Sequence, residues 1–229
     1  MALRIDVFTL FPEWFEWLQR PRHLANAALS AGLVLRTFSY RDASPLSGRQ
    51  VDDAPYGGGP GMVIRVDVVA AALEAAYGVP AETLRDERRV AVLTPRGRPF
   101  TDAVARELAV ESDLTLLSGR YEGFDERVHE HLANDAISLG PFVLAGGEVA
   151  AMAIVDAVGR RLPGALGNAA SLDSESFSDA LGGGTEHPHY TRPAVFRGWE
   201  VPPVLLSGHH AEVARWRAER VGEPPDQAR

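Results

Sequence analysis

The sequence predicts an α/β fold built on a mostly parallel sheet, with a small C-terminal helical domain. Three observations lead there. Short apolar runs alternate with longer stretches whose apolar residues recur at helical spacing, the pattern of strands joined by helices. Runs such as RVAVLT (89–94) and LTLLSG (114–119) are apolar enough to be strands buried on both faces. Glycine-bearing turns follow several of them, where an open α/β sheet binds ligands.

The elements follow in order. LRIDVFTL (3–10) reads as the first strand. Pro12 opens a helix containing Trp14, Phe15 and Trp17, and a second helical piece runs from Pro21 to about Ala31. VLRTFSY (34–40) alternates as a strand does, and 41–62 reads as a long loop ending in DDAPYGGGPGM. A Val/Ala/Leu pattern predicts a helix from Val66 to Tyr77. After the strand 89–94, the turn PRGRP leads into a helix at 101–110. The strand 114–119 is separated by RYEG from a helix at 124–133, and AISLG (136–140) is the next strand. GPFVLAGG then enters a helix over 148–161. These elements define a first domain, 1–163. The small, polar, glycine-rich stretch 164–188 reads as a flexible linker, and 189–229 as a small domain with a clear helix at 211–220.

Composition removes several chemistries. The chain has no cysteine, so disulfides, thiolate nucleophiles and cysteine-bound metals are excluded. All 23 basic residues are arginine, which removes the P-loop lysine and Schiff-base chemistry. Arginine can still grip phosphate or carboxylate bidentately. The net charge of −8 argues against a nucleic-acid partner unless the cations are sorted into a local patch. The N-terminal residues lack a signal-peptide pattern, and no apolar run is long enough to span a bilayer, so a soluble cytoplasmic protein is expected.

Common α/β motifs fail. The first strand runs into FPEWF rather than G-x-G-x-x-G, and G-x-S-x-G is absent. His187, His189, His209 and His210 lack the carboxylate or thiolate support of a zinc site and read as loop histidines. Three turns remain, each after an apolar strand: LTPRG (93–97), SGRYEG (118–123) and SLGPFVLAGG (138–147). Side by side they would wall a pocket with backbone. Amide and carbonyl groups can read a base edge while Leu139, Phe142 and Leu144 cover its faces.

DDAPYGGGPGM, GRYEGFDERV, GGEVAAM, PHYTRP and VPPVLLSGHH, in this order over about residues 1–217, closely resemble motifs of the bacterial tRNA (guanine-N1)-methyltransferases. Those enzymes use S-adenosylmethionine to methylate N1 of the guanosine immediately 3′ of the anticodon. The resemblance implies a SPOUT-class sheet with a deep trefoil knot and a homodimer with active sites at the subunit interface. It places the methyl donor against Leu93, Pro95, Gly119, Tyr121 and Glu122. A second wall comes from Leu139, Gly140, Pro141, Phe142, Val143 and Leu144, and glycines 140, 146 and 147 let backbone close around the donor.

The chemistry fits that implication. Guanine N1 carries a proton at neutral pH, which must leave as the methyl arrives, and a positioned carboxylate is a suitable base. Charge then builds on O6, where an arginine stabilises it. Arg160 matches the family's catalytic arginine, and Glu175 stands where the family's base is usually the aspartate of Asp-Ser-Phe; Asp173 is its rival. Pro141 and Phe142 replace the family's usual Asp-Tyr, removing a backbone donor and a hydroxyl. Magnesium is associated with the family, but no clean carboxylate cage is visible here. Arg192, Arg197, Arg215 and Arg217 are expected to contact tRNA. The competing readings are a SPOUT methyltransferase for another RNA base and a non-catalytic adenosyl- or RNA-binding module.

Overall fold

A computed structural model of the chain describes residues 2–168 and 174–224. It divides into two compact units, Met1–Gly167 and Asn168–Arg229. In the first, β1 (Arg4–Thr9) is followed by a 3-10 segment (Pro12–Gln19), α1 (Arg22–Ala31) and β2 (Val34–Ser39). A short hairpin of β3 (Asp52–Asp53) and β4 (Val63–Ile64) precedes α2 (Val66–Tyr77) and α3 (Leu84–Glu87). Then come β5 (Arg89–Pro99), α4 (Asp102–Ala109), β6 (Asp113–Ser118), β7 (Asp135–Ser138) and α5 (Glu148–Gly159).

Five strands form one sheet in the order β2-β1-β6-β5-β7, and every pair in it is parallel. Strand periodicity splits the core in two. Ile5, Val7, Leu114 and Leu116 face one side and pack with α1, α4 and α5. Phe8, Val90, Val92 and Leu117 face the other and pack with α2 and α3. Each such side chain, fully buried, contributes about 1.5–3 kcal/mol. On that second face Asp6 is fully buried. Its carboxylate accepts two hydrogen bonds from Arg36, both at 2.7 Å, and one from the Tyr77 hydroxyl at 2.8 Å. This satisfies a charge that would otherwise be costly inside the fold.

Three expectations from sequence need correction. The stretch 41–62 is not all loop, since it carries the β3 strand. The expected helix 124–133 is a single π-helical turn, Val128–Leu132. The backbone before it is spent elsewhere: Gly123 accepts from Ile64 N at 2.9 Å, and Asp125 N donates to Ile64 at 2.9 Å. Third, PRGRP does not end its strand. Leu93 and Arg98 both pair with Ile137, so β5 bulges between them and then resumes. Gly97 makes this possible, because a Cβ there would lie 2.4 Å from Ile137 N.

In the second unit, residues 174–184 of the expected linker form hydrogen-bonded turns that include a 3-10 turn, Asp179–Leu181. The remainder holds a hairpin of β8 (Val195–Phe196) and β9 (Trp199–Glu200), then α6 (Pro203–Leu206) and α7 (His210–Ala218). Two helices are therefore preceded by a strand pair that the sequence pattern did not suggest.

Gly97→Ala should lower stability by about 1–3 kcal/mol, the usual cost of overpacking, because its Cβ would meet backbone that cannot step aside. Gly167→Ala, which meets nothing within 4 Å, should be near neutral. Thermal unfolding of the two variants checks this; equal midpoints would refute the close packing of β5 on β7.

Candidate functional site

A cavity of about 290 Å³ opens at the bulge of β5 and beyond the carboxyl ends of β6 and β7. Three backbone segments wall it: the β5 bulge, the turn 119–124 and the stretch 137–147. Each reaches its place through a glycine. Gly119 has no Cβ, and one would lie 2.9 Å from the Phe124 ring. Gly140 has φ +156°, and its N–H donates to Ser138 Oγ at 3.2 Å. Gly147 N donates to the Gly119 carbonyl at 2.8 Å, and a Cβ on Gly147 would stand 2.8 Å from Ser118 Cα. The glycine pair before α5 thus admits a neighbouring strand end rather than a phosphate.

The carboxylate in that turn has a structural partner. Glu148 is 1% exposed, and its Oε1 accepts from the Thr9 hydroxyl at 2.9 Å. Its Oε2 accepts from Arg120 Nε at 2.9 Å. The Arg120 guanidinium also lies over the rings of Phe11 (4.5 Å) and Trp14 (4.9 Å). Glu148 sits in the first turn of α5, where the helix dipole favours an anion. The carboxylate is therefore satisfied by side chains from two neighbouring strand ends. Burial, reinforced by the nearby Glu148 charge, pushes the Tyr40 phenol well above its ordinary pKa and keeps it neutral.

Every residue assigned to the donor site by resemblance lines this cavity except Pro141, which is exposed beside it. Phe142, Val143 and Leu144 line it while remaining solvent-exposed, an apolar cover over an open pocket. Glu122 also lines it, its side chain resting against Gly61 of the β3–β4 loop. Arg160 is not brought to the cavity. It caps the far end of α5, whose first turn carries the lining residue Ala150. At 1.5 Å per residue the helix separates the two by roughly 15 Å. Glu175 belongs to the second unit, and Asp173 lies outside the described residues. Sequence reasoning missed Arg96, Arg120 and His129 on the cavity wall. Arg96 and Arg120 stood in quoted motifs but were given no role, and nothing local marked His129.

His129 carries a testable consequence. Burial lowers its pKa, with Arg96 adding to the effect and Glu126 opposing it. An unfolded chain would protonate this histidine near pH 6.5, before the folded one does. Stability should therefore fall as pH drops from about 6.5 towards the depressed folded pKa. His129→Gln should remove this part of the acid sensitivity, as read from unfolding midpoints between pH 7.5 and 5.5. An unchanged pH profile would show that the imidazole stays solvated.

The family model described as tRNA (Guanine-1)-methyltransferase TrmD matches residues 3–229. A tRNA (guanine-N(1)-)-methyltransferase of Geobacter metallireducens is 48% identical over 227 residues, covering 99% of this chain and 89% of the relative. The protein of the same name from Gloeobacter violaceus is 49% identical over 219 residues, covering 95% and 92%. That from Dehalococcoides mccartyi is 49% identical over 215 residues, covering 94% and 84%. With a match over nearly its whole length and relatives at this identity, the chain belongs to the tRNA (guanine-1)-methyltransferase family.

Proposed function

We propose that the protein transfers the methyl group of S-adenosylmethionine to N1 of the guanosine immediately 3′ of the anticodon in tRNA, acting in the cytoplasm. The observation that carries this reading is the cavity walled by three backbone turns, formed by the family's motifs in a chain that matches the family from end to end. Its character suits the donor. Backbone amides and carbonyls can pair with an adenine edge, Phe142 and Leu144 can cover its faces, and the cavity needs no phosphate grip. Among the described residues, no helix is long and apolar enough to cross a membrane.

In the reaction, the guanine N1–carbon bond forms as the carbon–sulfur bond of the sulfonium breaks, leaving S-adenosylhomocysteine. Glu175 takes the N1 proton, and Arg160 stabilises the charge that builds on O6. Alignment of the methyl with N1 supplies much of the remaining rate. Magnesium, associated with the family, enters no step of this proposal; the described residues contain no group of three His, Cys, Asp or Glu able to hold a metal ion. The trefoil knot of the SPOUT class and the homodimer belong to the same proposal. Arg160 supports the dimer, since a side chain at the far end of α5 is poorly placed to reach its own cavity. We assign Arg160 and Glu175 to the cavity of a second copy.

Glu175→Gln should keep donor and tRNA binding but lose methyl transfer by about a hundredfold or more, the scale of general-base catalysis. Asp173→Asn should be mild, and the reverse ranking in single-turnover assays would move the base to Asp173. Gly140→Val introduces a side chain at φ +156° beside Phe142 and should abolish donor binding by calorimetry. A mixed dimer of a Gly140→Val chain with an Arg160→Gln or Glu175→Gln chain should regain one working site, although each parent is inactive. No recovered activity in confirmed mixed dimers would mean that each site is built within one chain.

A further inference from the structure

The second unit has a cavity of its own, also of about 290 Å³, between residues 187–194 and helices α6 and α7. It is not a sealed core, since no residue from 185 to 224 is buried. Aromatic rings converge on it. Trp216 meets Tyr190 edge-on at 6.2 Å and His187 at 6.3 Å, and His187 lies 4.6 Å from His189. Arg220 covers Trp216 at 4.4 Å.

The charge of the lining is one-sided. Arg192 and Arg217 line the cavity, and no carboxylate does. Neither guanidinium carries an ion pair among the described residues, whereas Arg36, Arg65, Arg98 and Arg127 of the first unit are each held by carboxylates. A ligand for this site needs a flat apolar face and a negative charge. The volume suits one nucleotide rather than a duplex, and aromatic platforms with nearby arginine are how single strands are held.

We infer that this cavity takes one unpaired nucleotide of the RNA substrate, its base against Trp216 and Tyr190 and its phosphate on Arg192 and Arg217. The inference rests on the reading that the protein acts on tRNA. It concerns a nucleotide other than the methylated guanosine, which must lie at the donor cavity.

The test uses the full-length protein and a fluorescent RNA hairpin carrying the anticodon loop. Loop bases are replaced one at a time by abasic sites, and binding is read by anisotropy. One position should weaken wild-type binding by about 5- to 100-fold, the range for losing a stacked base. The same lesion should cost nothing further in Trp216→Leu, while Trp216→Phe should keep most of the coupling. Arg217→Gln should weaken all the hairpins alike. Circular dichroism establishes that each variant is folded. Lesion and variant effects that multiply independently at every position would overturn the proposal. So would a Trp216→Leu protein with a changed sedimentation coefficient and unchanged RNA affinity, since the cavity would then serve a protein contact. Failure of the unmodified hairpin to bind would overturn the tRNA reading as well, whereas binding without coupling overturns this inference alone.

Discussion

The contact between Arg120 and Glu148 holds two strand-end turns against each other, and the cavity they wall takes its shape from that contact. A buried ion pair is a weak source of net stability, because two charges must leave water. Here its partners are over-determined: Thr9 supplies a further hydrogen bond, and two aromatic rings flank the guanidinium. The pair therefore acts mainly by position. It registers the 118–120 backbone on the 146–147 backbone, where glycines allow approach closer than any Cβ permits. Removing Glu148 would leave Arg120 without its carboxylate partner on the cavity wall.

The same economy explains why an all-arginine chain with net charge −8 is compatible with an RNA substrate. In the first unit, much of the arginine is neutralised by carboxylates that order the fold, as around Asp6 and Asp135. In the second unit, Arg192, Arg197, Arg215 and Arg217 carry no ion pair among the described residues. Net charge says little about partners when the cations are sorted in this way.

Much of the fold was legible because its signals are local. The helix Val66–Tyr77 appears over its expected span, bounded by a Val/Ala/Leu pattern and Gly78. The glycine turns were equally visible, and the cavity forms where they meet. What the sequence could not show is pairing over distance. Pro95, Gly97 and Pro99 read locally as a turn, yet contact with Ile137 continues the strand. The 124–133 helix is shortened where the Gly123 carbonyl and the Asp125 amide bond to Ile64 of β4. Arg120 and Glu148 stand 28 residues apart, and no periodicity links them. His129 reached the cavity wall through a π-helical turn that composition does not announce.

The central claim is that this cavity delivers a methyl group to one guanosine of tRNA. Mass spectrometry of nuclease-digested tRNA, after incubation with the protein and isotope-labelled S-adenosylmethionine, tests it most directly. The account predicts a single labelled methyl on N1 of the guanosine 3′ of the anticodon, absent when another base replaces that guanosine. Label on a different nucleotide, or none despite donor binding, would contradict it.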